Sequence, residues 1–419
     1  MKILWVKAGK LLPVDAGGKI RSFNILRHLA KNHDVTLLSY YGGARDLEYE
    51  AAIGKQLRGT ETIHTAAPEG VWAQSIDYIF RLPSSAPYAV AKFTHRLVRR
   101  SVKEHLQSRG FDVAVCDFLS ASLNFPEPLP AAVVLFQHNV ETMLWRRMAQ
   151  TEKAPWSKIS YTIEARKMAA YERRTLRRFQ HVIAVSENDR NAMLSLAPGC
   201  AITVVPTGVD TEEYQPAPSV SGNPPIVIFT GSMDWEPNID AMEYFCGEIW
   251  PAVLSEFPEA RFQIVGRNPH ARVRRLASAS VEVTGTVPSI TDYLRAATVV
   301  IVPLRIGGGT RLKIFEAMAM AKAMVSTSIG AEGLEVTDKR DLILADGAEQ
   351  FGKAILQLLR DSELRRKYEQ AAAALAAQYD WSHISRRFAD VLQEAADGFR
   401  SGSTAVAARC EVPRGRNSA

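Results

Sequence analysis

Three closely spaced side chains carry the most specific chemistry in this chain. Arg311, Lys313 and Glu316 follow the glycines Gly307, Gly308 and Gly309 and then Thr310. Glycines let backbone amides approach a ligand, and the first turn of a helix carries a partial positive charge. Two cations there, flanking Leu312, make a site for a diphosphate. A carboxylate one turn deeper can accept hydrogen bonds from sugar hydroxyls. The pattern points to a nucleotide-sugar pocket. Around it, an apolar segment at 298–303 (TVVIVP) leads into the glycines, a small-residue helix spans 310–321, and AMVSTS returns as a strand. Strand, loop, helix and strand form one βαβ unit, and ligands gather at the carboxyl ends of such strands.

Other residues could join that chemistry. Gly17 and Gly18 follow the apolar segment 2–7 and precede a helix with Lys19 and Arg21 in its first turn. A dinucleotide fingerprint is absent, and a phosphate loop fails because Ile20 follows Gly18-Lys19 and Pro13 stands where its first glycine belongs. His138 directly follows the strand 132–136, with Asn139 and Glu141 beside it. After the segment 226–230 the chain has Ser232, Met233, Asp234, Trp235 and Asn238, and no cation. Charge on a diphosphate then falls mainly to Arg311 and Lys313, with Arg267, at the end of the strand in IVGRNP, as a third partner. Each feature also has a plain structural reading, as a strand-to-helix turn or a solvated helix face.

Positioning these groups requires a repeated architecture. Apolar strands at 2–7, 35–39, 112–116, 132–136, 181–185 and 202–205 alternate with helices such as 18–31 and 90–108. A second series has strands at 226–230, 261–265, 281–284, 298–302, 324–327 and 341–344, then a helix at 349–377. Alternation of this kind predicts parallel sheets with helices on both faces. The reading is α/β: a first domain at 1–216, a Pro/Gly/Ser-rich linker at 217–225, a second domain at 226–378, an amphipathic helix at 379–398 and a disordered tail at 399–419. The two doubly wound domains face a central cleft, with Gly17, Gly18 and His138 on one wall and the 303–334 stretch on the other.

The 419 residues suffice for two full cores. Apolar content of 47% and charged content of 23% are ordinary for a globular enzyme. No apolar run is long enough to span a bilayer, and MKILWVKAGKLLP reads as a first strand, not a signal peptide. Four scattered cysteines look like reduced thiols, so the expectation is a cytoplasmic protein. A net charge of +6 is concentrated at 96–103 and 146–178, the second region interleaved with Trp145, Trp156, Tyr161, Tyr171 and Phe179. Such a surface suits anionic lipid headgroups on the inner face of the plasma membrane. Charge alone would also allow nucleic acid, but no nucleic-acid module appears, and none is expected as a partner.

The segment 303–334 resembles the donor site of retaining glycosyltransferases with the GT-B fold, the large family four. That resemblance implies that Glu316 binds the nucleotide ribose; the acidic residue usual eight positions earlier is Gly308 here, leaving backbone amides of Gly308, Gly309 and Thr310 to serve. It also implies that Gly17 and Gly18 lie by the donor sugar and acceptor, that His138 contacts the donor sugar, and that backbone groups up to Val287 surround the nucleobase. HVIAVSENDR and VVPTGVD resemble the family's elements before the interdomain linker, and the last helix is expected to cross back to the first domain. His138, Gly18 and Arg311 are the catalytic candidates. The combination GSMDW, VGRNP and PLRIGGGTRLK resembles a subgroup tied to bacterial exopolysaccharide biosynthesis. The expected reaction moves a sugar from a nucleotide-sugar donor to a glycan or polyprenyl-diphosphate-linked acceptor with retention, with neither metal nor cofactor. A GT-B epimerase and a non-catalytic nucleotide-sugar-binding protein are the alternatives.

Overall fold

The computed structural model describes residues 1–65, 71–108, 110–152, 154–217, 224–306 and 312–402. Gly307, Gly308, Gly309, Thr310 and Arg311, most of the linker and residues 403–419 of the expected tail lie outside the described residues. The chain divides into two compact units, Met1–Pro206 with Ile384–Ala419, and Thr207–His383.

The first unit is built on seven parallel strands: β1 (Lys2–Ala8), β2 (Asp34–Tyr41), β3 (Thr60–His64), β4 (Val113–Asp117), β5 (Val133–Phe136), β6 (His181–Ala184) and β7 (Ile202–Val204). Their order is β3-β2-β1-β4-β5-β6-β7. Central strands are apolar throughout because helices cover both faces; Ile3, Leu4, Trp5 and Val6 of β1 are fully buried, as are Val113 to Cys116 of β4. The sheet contains one more strand than the sequence pattern predicts. β3 is a half-exposed edge with the polar sequence TETIH, so it lacks an apolar run. The expected helix 90–108 is two helices, Tyr88–Ala91 and Arg96–Ser108, and that at 379–398 runs as Trp381–Arg400.

Register in this sheet sets up chemistry. Lys7 of β1 is the neighbour of Asp117 in β4, and Asp117 is the neighbour of Phe136 in β5. All three therefore stand at the carboxyl edge, where β5 delivers His138 two residues later. From Ile384 onward the last helix packs on this same unit: Phe388 stacks on Trp5 at 5.4 Å and meets Phe136 edge-on at 5.0 Å. Full burial of such a ring is worth about 1.5–3 kcal/mol.

The second unit has six parallel strands: β8 (Ile226–Thr230), β9 (Arg261–Val265), β10 (Val281–Gly285), β11 (Val299–Val302), β12 (Met324–Ser326) and β13 (Ile343–Leu344), in the order β10-β9-β8-β11-β12-β13. The predicted helix 349–377 breaks into Ala348–Arg360 and Ser362–Gln378, because Asp361 leaves helical geometry and its carboxylate accepts from the Leu364 amide. At the carboxyl ends of β8 and β9 the backbones touch. A Cβ on Gly266 would lie 1.6 Å from the Gly231 carbonyl oxygen, so only glycine fits.

Candidate functional site

In the first unit the carboxyl edge of the sheet holds a buried polar cluster centred on Asp117. Its Oδ2 accepts from Trp5 Nε1 at 2.8 Å and from Lys7 Nζ at 2.9 Å. Its Oδ1 accepts from His138 Nε2 at 2.7 Å. Burial pushes the Asp117 carboxyl up, but Lys7 and the His138 hydrogen bond outweigh it and hold the group well below the usual range. Phe118 follows with φ of +75°. For a residue with a side chain that conformation costs about 1–3 kcal/mol, a strain found mostly at functional sites.

His138 is fixed on both sides. A carboxylate on Nε2 requires the proton there, leaving Nδ1 as an acceptor, and Arg21 Nη1 stands 3.3 Å away to donate. Arg21 also donates to the His138 carbonyl at 3.0 Å. Burial drives the imidazole pKa down to about 4, with the Arg21 and Lys7 charges adding to it against Asp117. At neutral pH His138 is therefore uncharged, and both ring nitrogens are engaged. Burial likewise takes the Arg21 guanidinium down to about 10, opposed by Asp189 and Asp117.

Gly18 belongs to the same cluster. A Cβ there would sit 3.6 Å from His138 Cδ2, so the glycine and the imidazole are in contact. Lys7 Nζ donates to Ser22 Oγ, which donates to the Gly18 carbonyl at 2.9 Å. Gly17 opens the helix Gly17–Leu29, whose N-cap Ala16 offers no side-chain hydrogen bond, leaving first-turn amides without a side-chain cap. Glu172, buried on Pro155–Arg178, braces the segment bearing His138: it accepts from Gln137 Nε2 and from the amides of Glu141 and Thr142.

The second unit carries a separate set. Lys313, in the first turn of the described helix Leu312–Ala319, projects to the end of β8. Its Nζ lies 4.0 Å from the Phe229 ring centroid, donates to Asn238 Oδ1 at 3.2 Å and stands 2.8 Å from where a Cβ on Gly231 would be. Arg267 reaches the next residue of that turn, donating from Nε to Ser232 Oγ at 3.1 Å. Two cations thus meet at the Gly231–Ser232 turn, though the sequence places none there. Ser232 Oγ in turn donates to Asp234, and Asn238 Nδ2 donates to the Ser232 carbonyl.

Glu316 lies one turn beyond Lys313, half-buried. Burial holds its carboxyl up at about 7; Lys313 works against that, Glu213 adds to it, and a hydrogen bond from Tyr214 lowers it. The same environment raises the Tyr214 hydroxyl above its ordinary value. Val287 follows β10, beyond Gly285, whose φ is +73°. Among the described residues no group of three or more His, Cys, Asp or Glu could hold a metal ion.

Sequence reasoning missed Lys7, Asp117, Trp5 and Tyr214. A lysine inside KILWVKA and an aspartate closing VAVCD were the available signals, charges at the ends of strands that are otherwise apolar. Ser186, in the element HVIAVSENDR, is the N-cap of Glu187–Leu196 and accepts from the Asp189 amide. The interleaved aromatics of 146–178 also sort differently from the expectation. Tyr171 and Phe179 are core residues, Trp145 packs against Tyr161, and Trp156 is exposed.

The comparisons agree with this architecture. The model described as Glycosyltransferase Family 4 matches residues 17–213, and that described as Glycosyl transferases group 1 matches 224–361. A phosphatidyl-myo-inositol mannosyltransferase of Mycobacterium leprae (strain TN) is 28% identical over 224 residues, covering 51% of this chain and 59% of that protein. The chain thus spans about three-fifths of the length of this curated relative. Sucrose-phosphate synthase from Thermosynechococcus elongatus superposes with a TM-score of 0.66 at 15% identity, over 94% of this chain and 98% of that one. Anabaena Alr3699/HepE, solved in complex with UDP, gives a TM-score of 0.66 at 14% identity, over 94% and 100%. These likenesses concern the fold. With matching models in both halves and two Rossmann-like parallel-sheet units, the chain belongs to the group 1, family 4 glycosyltransferases of GT-B fold.

Proposed function

We propose that this protein is a retaining, metal-independent glycosyltransferase that moves a sugar from a nucleoside-diphosphate donor to a glycan or polyprenyl-diphosphate-linked acceptor. Its product would be bacterial exopolysaccharide or another cell-surface polysaccharide, made on the inner face of the plasma membrane. The observation that carries this reading is the meeting of Lys313 and Arg267 at the Gly231–Ser232 turn, with Glu316 and Tyr214 beside them. A glycine turn bordered by two cations suits a diphosphate. Glu316 then accepts from ribose hydroxyls. Arg311, the remaining candidate, adds a third charge from its position before Lys313.

In the transfer, the bond from the anomeric carbon to the diphosphate oxygen breaks and its electron pair leaves with the nucleotide. The acceptor oxygen bonds to that carbon on the same face, and its proton passes to the departing phosphate. Two features support assigning the base to the phosphate. Asp117 is occupied by Trp5, Lys7 and His138, and His138 by Asp117 and Arg21. Neither group is available to take a proton at neutral pH. Their part is to hold the Gly18 turn and the imidazole rigid, at no reorganisation cost during reaction. Lys313 and Arg267 stabilise the charge on the leaving diphosphate.

Screening UDP-, GDP- and ADP-sugars for thermal stabilisation tests the donor assignment. A ligand that binds only the folded state raises the midpoint in proportion to the logarithm of its concentration. At least one nucleotide-sugar is expected to do so, and less in Lys313→Ala. Equal melting with every donor would remove the reading.

A further inference from the structure

The helix Pro155–Arg178 buries one side against the first unit and leaves another uncovered. On the open side Trp156, Ile159 and Ile163 form a stripe at helical spacing, and Trp156 is 84% exposed. The helix Val71–Arg81 lies alongside, tied by Tyr78 to Ser160 at 2.8 Å and by Lys167 Nζ to the Leu82 carbonyl at 2.7 Å. It adds Ile76, Ile79 and Phe80, the last 80% exposed. Six large apolar side chains on two adjacent helices are more than scattered exposure accounts for.

Charge surrounds this face. Between Glu141–Thr151 and Pro155–Arg178 runs a groove of about 640 Å³, floored by alanines such as Ala165 and Ala169. Arg146, Lys158, Arg166 and Arg173 line it, and no acidic side chain does. Arg146, Lys158 and Arg166 make no ion pair with a described residue. Lys158 and Arg166 share their helix with the Trp156 stripe, so apolar and cationic groups alternate around one element. No helix among the described residues is long and apolar enough to cross a membrane. An apolar stripe carrying Trp and Phe beside a cationic strip is the pattern of an element lying in the headgroup region of an anionic bilayer.

We infer that the exposed faces of Val71–Arg81 and Pro155–Arg178 insert into the headgroup layer of anionic phospholipid, with a lipid phosphate seated in the groove of Arg146, Lys158, Arg166 and Arg173. This deepens the inner-membrane reading above and does not depend on the donor assignment. It names the inserted side chains and separates them from the cations of Arg96–Ser108, where Arg100 pairs with Glu104 and Arg99 bonds the Leu123 carbonyl.

Co-sedimentation of the full chain with vesicles of phosphatidylcholine, with or without phosphatidylglycerol, tests this. Binding is expected only where phosphatidylglycerol is present. Ile79→Ser with Phe80→Ser, and separately Trp156→Ser, should each lower it at least several-fold. Arg166→Glu should lower it by about five-fold or more, since each cation near such a surface is worth about that factor. Equal binding to both vesicle types would overturn the phosphate groove. Unchanged binding in the apolar variants would overturn the insertion. A protein that dimerises in sedimentation, returns to monomer on Phe80→Ser and ignores vesicles would show that the face is occupied by a second copy. Thermal stabilisation by nucleotide-sugar, measured on the same variants, separates the two readings. Retained stabilisation with lost docking leaves the donor site standing, and lost stabilisation with retained docking leaves the membrane face standing.

Discussion

Replacing Glu316 by glutamine probes the donor site at its most informative atom pair. The carboxyl titrates near 7 because burial disfavours its charge, and Glu213 adds repulsion. The ionised form accepts from ribose hydroxyls more strongly, through charge-assisted bonds and with no O–H donor in the way, so donor affinity should follow its ionisation. Working through the linkage, affinity falls as pH falls, by about ten-fold between pH 8 and pH 6 for a group centred near 7. Glutamine keeps one acceptor and turns the other into a donor. The loss of one charge-assisted hydrogen bond costs about 2 kcal/mol, roughly thirty-fold in Kd at pH 8. The variant should then show no slope across that interval, since it has no carboxyl to titrate. Isothermal calorimetry at several pH values, with the nucleotide-sugar that stabilises the protein best, reads both effects. A wild-type profile flat between pH 6 and pH 8, or a variant of unchanged affinity, would refute the assignment of ribose contacts to Glu316.

Two predictions concern the framework. His138 has a folded pKa near 4 against 6.5 unfolded, so the unfolded chain binds the extra proton between those values. Stability should therefore decline as pH falls from 6.5 towards 4, by about 3 kcal/mol at most from this group. Urea titrations of His138→Gln, which can still donate to Asp117, should lose that part of the slope; an identical slope would contradict the buried neutral imidazole. Gly266→Ala forces a methyl group against the Gly231 carbonyl and should destabilise the second unit by about 1–3 kcal/mol or more. Denaturation with the wild-type midpoint would show that the β8 and β9 ends are looser than they stand here.

Much of the fold was legible because buried parallel strands are continuous apolar runs. KILWVKA, VAVCD and IVIFT announce themselves, whereas β3, the polar edge TETIH, does not. The helix Val71–Arg81 carries Ile76, Ile79 and Phe80 exposed, so these residues anchor no core pattern. Breaks inside predicted helices depended on one side chain, as at Asp361, whose capping role is invisible without its local geometry. The proposed donor set reads similarly. Lys313, Arg267 and Glu316 sit where glycine-rich strand ends deliver them, so sequence spacing pointed to them. Asp117 and Lys7 become a pair only through the register of β1 and β4, residues 110 positions apart. Tyr214 lies just before the linker and reaches Glu316 through folding of the second unit alone. Register and tertiary approach carried what spacing could not.

The claim that matters most is transfer of a sugar with its anomeric configuration kept. Proton NMR of the reaction, run with the stabilising nucleotide-sugar and a polyprenyl-diphosphate-linked acceptor, tests it. The account predicts that nucleoside diphosphate appears in step with a glycosylated acceptor whose anomeric coupling matches that of the donor. An inverted coupling, or nucleotide released with the acceptor untouched, would contradict it.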